Sequence, residues 1–191
     1  QIAAGLSDRL TYEDRKYVSV IGMDTNVQDL RALQAQNIRV IRTSDDRRVF
    51  EYTGERFHPE YARWVPENSF LRQRDMVTGA GQVRVLSRLA GLAAEERGDF
   101  GAIHQEIQRI TARDGNTIRS SLTVMIVGSI TGGTGAGLFT QLPYYIRQQV
   151  SQDTGIDQIV IRGMFVGPDL TADVQPTDTN KDSVRVNGYS C

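Results

Sequence analysis

The 191 residues carry 22 basic and 23 acidic side chains, a formal net charge of −1, 39% hydrophobic residues and 24% charged ones. That is ordinary for a globular chain: no basic excess favours nucleic acid, and no apolar run nears the roughly 20 residues of a membrane-spanning helix. The single cysteine, Cys191, excludes an internal disulfide framework and fits a reducing cytoplasm, and nearly every cation is arginine, the lysines being Lys16 and Lys181.

A length of this order fits one domain with one core. The start at Gln1 and the stop at Cys191, with no basic-then-apolar leader, are expected to bound a piece of a longer chain, truncated at both ends. Ile2, Leu6 and Leu10 recur at helical spacing, and Tyr17–Met23 is short, β-branched and apolar, so a helix is expected to lead into a buried strand. That strand runs into Asp24-Thr25-Asn26, where Asn26 is placed to cap a helix reaching Leu33, and Ile38–Ile41 follows as a second brief strand. From Ser44 to Asp75 the periodicity lapses. Tyr52, Phe57, His58, Pro59, Tyr61, Trp64, Pro66 and Phe70 suggest a long excursion of short helical turns, better explained by surface-loop packing than by a partner patch. His58 and His104 have no cysteine or second histidine at ligand spacing, which argues against a metal site on either.

The turn Gly79-Ala80-Gly81 precedes a predicted helix over Gln82–Arg97, with Val85, Leu86, Leu89, Leu92 and Ala93 on one face. A second helix is predicted from Phe100 to Arg113, ended by Asp114-Gly115-Asn116. Leu122–Gly128 is the strongest strand pattern, Leu138–Val150 reads as a helix with Pro143 in its first turns, and Ile159–Val166 is a further strand closed by Gly167-Pro168-Asp169. Helices alternating with near-continuous apolar strands predict an α/β fold, doubly wound, with a mainly parallel sheet and helices on both faces.

Between strand and helix lies Ser129-Ile130-Thr131-Gly132-Gly133-Thr134-Gly135-Ala136-Gly137. Glycines there allow positive φ and let amides approach an anion, the following helix offers unpaired N–H groups, and Thr131 and Thr134 offer hydroxyls. The loop is not a lysine-dependent P-loop, because Gly137 is followed by Leu138. The dinucleotide fingerprint fails too: counted from Gly133 its last position is Leu138, and from Gly135 it is Thr140.

Thr131–Gly137 resembles the signature loop of the tubulin/FtsZ family, G-G-G-T-G-[S/T/A]-G, departing from it at Thr131. Two more segments, in order, strengthen the resemblance. Asp24-Thr25-Asn26-Val27-Gln28-Asp29-Leu30 is similar to the N-T-D-A-Q-A-L segment of FtsZ with Asp and Asn exchanged, and Thr78-Gly79-Ala80-Gly81-Gln82 resembles the family's γ-phosphate-sensing loop. The long excursion points to a divergent, bacterial tubulin-like group.

The resemblance implies a Rossmann-like GTPase domain over residues 1–191, with GTP or GDP and Mg²⁺ as ligands. It implies phosphate contacts at Thr131, Gly132, Gly133, Thr134, Gly135, Ala136, Gly137, Gly79, Ala80, Gly81 and Gln1, the last beginning the helix that follows the family's first glycine loop. Asp24 or Asn26 would serve Mg²⁺, Asp169 the ribose and Asn187 the base. It implies a cytoplasmic subunit that self-associates into filaments and hydrolyses GTP at the subunit interface, with catalytic acids from a neighbouring subunit and none on this stretch. A tubulin-like scaffold without efficient hydrolysis and a doubly wound dinucleotide enzyme are the competing expectations. No nucleic acid or membrane partner is expected.

Overall fold

The computed structural model describes residues 2–53, 60–67, 69–75, 80, 83–113, 116–117, 121–150, 156, 158–173, 181–182 and 184–186. Helix α1 (Ile2–Arg9) leads, through a 3₁₀ turn at Asp14–Lys16, to strand β1 (Ile21–Asp24), helix α2 (Val27–Gln34) and strand β2 (Arg39–Arg42). Strands β1 and β2 are parallel, with Ile21 opposite Arg39 and Asp24 opposite Arg42. Asn26 caps α2 as expected, its side chain accepting from the Gln28 amide at 2.9 Å. The far end of α2 closes on Asn37, which adopts φ 57, while Ile38 N–H reaches the Leu33 carbonyl at 3.2 Å and Asn37 N–H the Gln34 carbonyl at 2.9 Å. This pair of bonds is a Schellman ending, in which asparagine tolerates the left-handed position.

The excursion forms helix α3 (Val49–Tyr52), a 3₁₀ turn at Tyr61–Arg63 and helix α4 (Ser69–Gln73). Val49, Tyr52, Tyr61 and Val65 are buried against Leu86, Leu89, Ala90 and Ala93 of helix α5 (Arg84–Glu96), so the aromatic residues anchor it to the body. Trp64 carries the Arg88 guanidinium 4.8 Å from its ring centre. Phe57, His58 and Pro59 lie outside the described residues.

Helix α6 (Gly101–Thr111) is followed by a two-residue antiparallel ladder, β3 (Ala112–Arg113) with β4 (Asn116–Thr117). Strand β5 (Leu122–Ser129) then pairs in parallel with β6 (Ile159–Val166) through eight residues, from Leu122 opposite Ile159 to Ser129 opposite Val166. Between them come α7 (Gly133–Leu138), α8 (Gln141–Tyr145) and a π-helical turn, Ile146–Val150. Sequence reading starts this helix at Leu138 and runs it unbroken; the chain instead becomes helical at Gly133 and breaks at Phe139–Thr140. Pro143 explains the break, since it has no N–H for the Phe139 carbonyl and its ring crowds that group. A short helix, Pro168–Ala172, follows β6.

The α/β class is as expected, and the parallel strands form two pairs, β1–β2 and β5–β6. One face of β5–β6 is in the core: Val124, Ile126, Ile159 and Ile161 pack with Phe100, Ile103, Ile107 and Ile146. On the other face Met125, Val127, Val160 and Met164 are exposed, so among the described residues helices cover this pair on one side. Between the two pairs lies a cavity of about 750 Å³, lined by Ile21 and Met23 of β1 and by Val124, Ile126 and Gly128 of β5, with the glycine loop at its end.

Candidate functional site

The C-terminal ends of β1 and β5 meet, which is where an open α/β fold presents its ligand crevice. Asp24 ends β1, and its Oδ1 accepts from the Thr134 hydroxyl at 2.9 Å and from the Asn26 amide at 3.0 Å. The carboxylate of the first motif therefore faces the glycine loop, and Asp24, Gly132, Gly133, Thr134 and Gly135 all line the same cavity. Asn26 is directed otherwise, its oxygen serving as the α2 cap. Of the two exchanged residues, Asp24 is the one beside the loop.

Gly132 is extended at φ −80 and ψ 171 and begins α7. Among the described residues, positive φ in a glycine occurs at Gly98, so the loop's glycines do not use left-handed backbone as sequence reading anticipates. They permit close approach instead. A Cβ on Gly135 would overlap the Ser129 carbonyl oxygen, and one on Gly137 would sit 2.8 Å from the Arg84 carbonyl. Those two glycines wedge α7 between the end of β5 and α5. Gly91 on α5 completes the contact, since a Cβ there would overlap Leu138. At Gly132 a Cβ would meet nothing within 4 Å, so this glycine faces open space. Gly133, Ala136, which is 4% exposed, and Gly137 are buried, and Gly132, Thr134 and Gly135 are the half-buried positions of the loop.

Hydroxyls tie the loop to its neighbours. Thr131, 2% exposed, has its Oγ1 2.6 Å from Ser129 Oγ and 2.9 Å from Thr171 Oγ1. Thr171 gives its own proton to the Gly167 carbonyl at 3.0 Å, so Thr131 donates to Thr171 and its hydroxyl holds the loop against the helix Pro168–Ala172. Asp169 is exposed in the first turn of that helix, two residues before Thr171. On the other side, the Ala80 amide donates to the Thr25 hydroxyl at 3.0 Å, and Thr25 Oγ1 lies 3.2 Å from Thr134 Oγ1. Gln1, Gly79, Gly81 and Asn187 lie outside the described residues.

The three motif segments thus converge through Asp24, Thr25, Ala80 and Thr134. Sequence reading did not single out the hydroxyls of Thr25, Ser129 and Thr171. Their signal was a Ser or Thr flanking every loop of the site, but such residues also cap helices and turn loops everywhere. Among the described residues no group of three His, Cys, Asp or Glu could enclose a metal. The Asp24 carboxylate beside the glycine loop is of the kind that would suit Mg²⁺, a cation that keeps several waters and needs few protein oxygens. No helix among the described residues is long and apolar enough to cross a membrane.

Neither a curated protein nor a solved structure matches this chain. A family model described as tubulin like matches residues 1–191, the whole of it, and in keeping with the three converging loops the chain belongs to the tubulin-like family.

Proposed function

We propose that the chain is the nucleotide-binding domain of a tubulin-like, GTP-binding filament subunit that hydrolyses GTP where subunits meet. The observation that carries the reading is the convergence of Asp24, Ala80 and Thr134 at one end of the parallel strands, in a chain that the tubulin-like family model matches from end to end. In this reading the amides of Gly132, Gly133, Thr134 and Gly135 hold the phosphates, because all four residues line the cavity and α7 begins there with first-turn N–H groups. Such fixed donors need no reorganisation when charge grows on the phosphate oxygens. Asp24 is the residue that would hold Mg²⁺, which would screen the phosphate charge. Asp169 takes a ribose hydroxyl and Asn187 the base edge. The acids that polarise water come from the neighbouring subunit, so hydrolysis depends on assembly.

Calorimetric titration with GTP, ATP and NAD tests the binding claim. GTP is expected to bind at least tenfold more tightly than ATP, an effect worth about 1.4 kcal/mol; tighter binding of NAD would return the chain to the dinucleotide enzymes. Phosphate release measured beside GTP-dependent sedimentation tests the rest: the two should rise together with protein concentration. Sedimentation without release would leave a nucleotide-binding scaffold.

A further inference from the structure

A second cavity, of about 270 Å³, opens at the other end of β1 and shares no lining residue with the cavity at the glycine loop. Three arginines from three chain segments line it: Arg15 from the 3₁₀ turn before β1, Arg39 from the start of β2 and Arg109 from the last turn of α6. Against them the lining offers one carboxylate, Glu106, which accepts from Arg109 at 2.8 Å and from Ser19 at 2.7 Å. The other two cations bond neutral groups. Arg15 donates to the Ser7 carbonyl at 2.7 Å and to Ser7 Oγ at 3.4 Å, and Arg39 donates to Gln105 at 2.7 Å. Among the described residues neither Arg15 nor Arg39 stands in an ion pair. A guanidinium carries five N–H donors, so each keeps some to spare.

Fastening the approach to β1 onto α6 needs one ion pair, and Arg109 with Glu106 supplies it. Two further positive charges at the same cavity repel each other, and neutral donors could serve Ser7 and Gln105 as well. Burial alone would push the Glu106 carboxyl up. The bonds from Arg109 and Ser19 and the charges of Arg109 and Arg39 bring it down instead, as a cavity with an excess of positive charge requires. The surplus also names the class of anion. A carboxylate presents two oxygens in one plane, which a single guanidinium fork covers. Guanidiniums from three segments suit an anion with more oxygens and more than one negative charge. We propose that this cavity is a binding site for a phosphate dianion, free or carried on a phosphorylated side chain, held by Arg15, Arg39 and Arg109 with Glu106 orienting Arg109. The site stands whether or not the glycine loop binds a nucleotide.

The test follows backbone amide resonances while sodium phosphate, sodium acetate or O-phosphoserine is titrated in at constant ionic strength. Phosphate is expected to move the signals of Ser19, Ile38 and Arg39 along a saturating curve, and acetate to bind at least tenfold more weakly. Arg39→Gln replaces an exposed side chain and should fold like the parent, yet its phosphate affinity should fall about tenfold, the loss of one charged hydrogen bond. Arg15→Gln should lose a similar factor. Tighter binding of phosphoserine than of phosphate would mark a phosphorylated side chain as the natural source, and binding no tighter would mark the free ion. A drift that never saturates, acetate binding equal to phosphate, or unchanged affinity in both arginine variants would overturn the site. So would shifts confined to Gly132–Gly135, which would send the phosphate to the glycine loop and leave this cavity without a ligand.

Discussion

At the residue scale, the glycine loop separates into positions packed against the fold and one that faces open space. Gly135 and Gly137 have protein backbone where a Cβ would stand, whereas Gly132 has nothing within 4 Å and an extended conformation open to any residue. A valine at each should therefore fail differently. Gly132→Val is expected to unfold at a urea midpoint equal to that of the parent, within about 0.5 kcal/mol, as surface substitutions do. It should also lose GTP affinity by about 100-fold or more, since its branch fills the space above the amides. Gly135→Val is expected to be destabilised by about 1–3 kcal/mol or more from forced overlap with Ser129, and to lose binding as a consequence. Urea unfolding and calorimetry on the two variants decide it. A Gly132→Val protein that binds GTP as tightly as the parent would clear the loop of any phosphate role.

At the element scale, the sequence was most legible where local chemistry decides the outcome, and least where a partner elsewhere in the chain does. The start of α2 follows from the Asn26 side chain, and α5 from its apolar spacing and the Gly98 ending, where φ is 80 and Asp99 N–H reaches the Ala94 carbonyl at 3.0 Å. Strand β1 was misjudged at its start. Tyr17–Val20 has the composition of a strand, but β2 begins only beyond the left-handed turn at Asn37, so the register opens at Ile21 opposite Arg39 and β1 starts there. The glycine loop was legible in place and class, but the reason for its glycines was not, because close approach to Ser129 and Arg84 is a fact of tertiary packing.

Helix α6 also carries a contact that no periodicity announces. Its Glu106 accepts from Ser19 at 2.7 Å and from Arg109 at 2.8 Å, and Arg109 reaches on to the Arg15 carbonyl at 3.0 Å, fastening the approach to β1 onto α6. Burial pushes the Glu106 carboxyl up, but the hydrogen bonds from Arg109 and Ser19, with the charges of Arg109 and Arg39, together hold it below its ordinary 4.5. A depressed carboxylate stabilises the fold above its unfolded value and ceases to as pH falls through its folded one. The stability gap between parent and Glu106→Gln should thus be full at pH 7, shrink below about pH 4.5 and close once the folded carboxyl is protonated. A gap of constant size from pH 7 to pH 3 would mean that the charge of Glu106 contributes nothing.

At the scale of the whole molecule, a ligand that ties three chain segments together must report on global stability. Asp24, Ala80 and Thr134 come from the end of β1, the segment before α5 and the loop after β5, and unfolding separates all of them. A nucleotide that binds across them binds the folded state alone, and at 100 times its dissociation constant it adds about 2.7 kcal/mol. A domain of this size gains roughly 2–4 °C per kcal/mol, so saturating GTP with Mg²⁺ should raise the melting temperature by about 5–10 °C. The shift should keep growing with the logarithm of GTP concentration after the site is full, which a non-specific salt effect at constant ionic strength would not do. Gly132→Val should melt like the parent without nucleotide and show almost no shift with it, because only the ligand side of the loop is altered. A full shift in that variant would place the nucleotide elsewhere in the molecule. If GTP produced no shift in the parent while calorimetry still registered binding, the ligand would hold folded and unfolded chains equally, which a site assembled from distant segments does not allow.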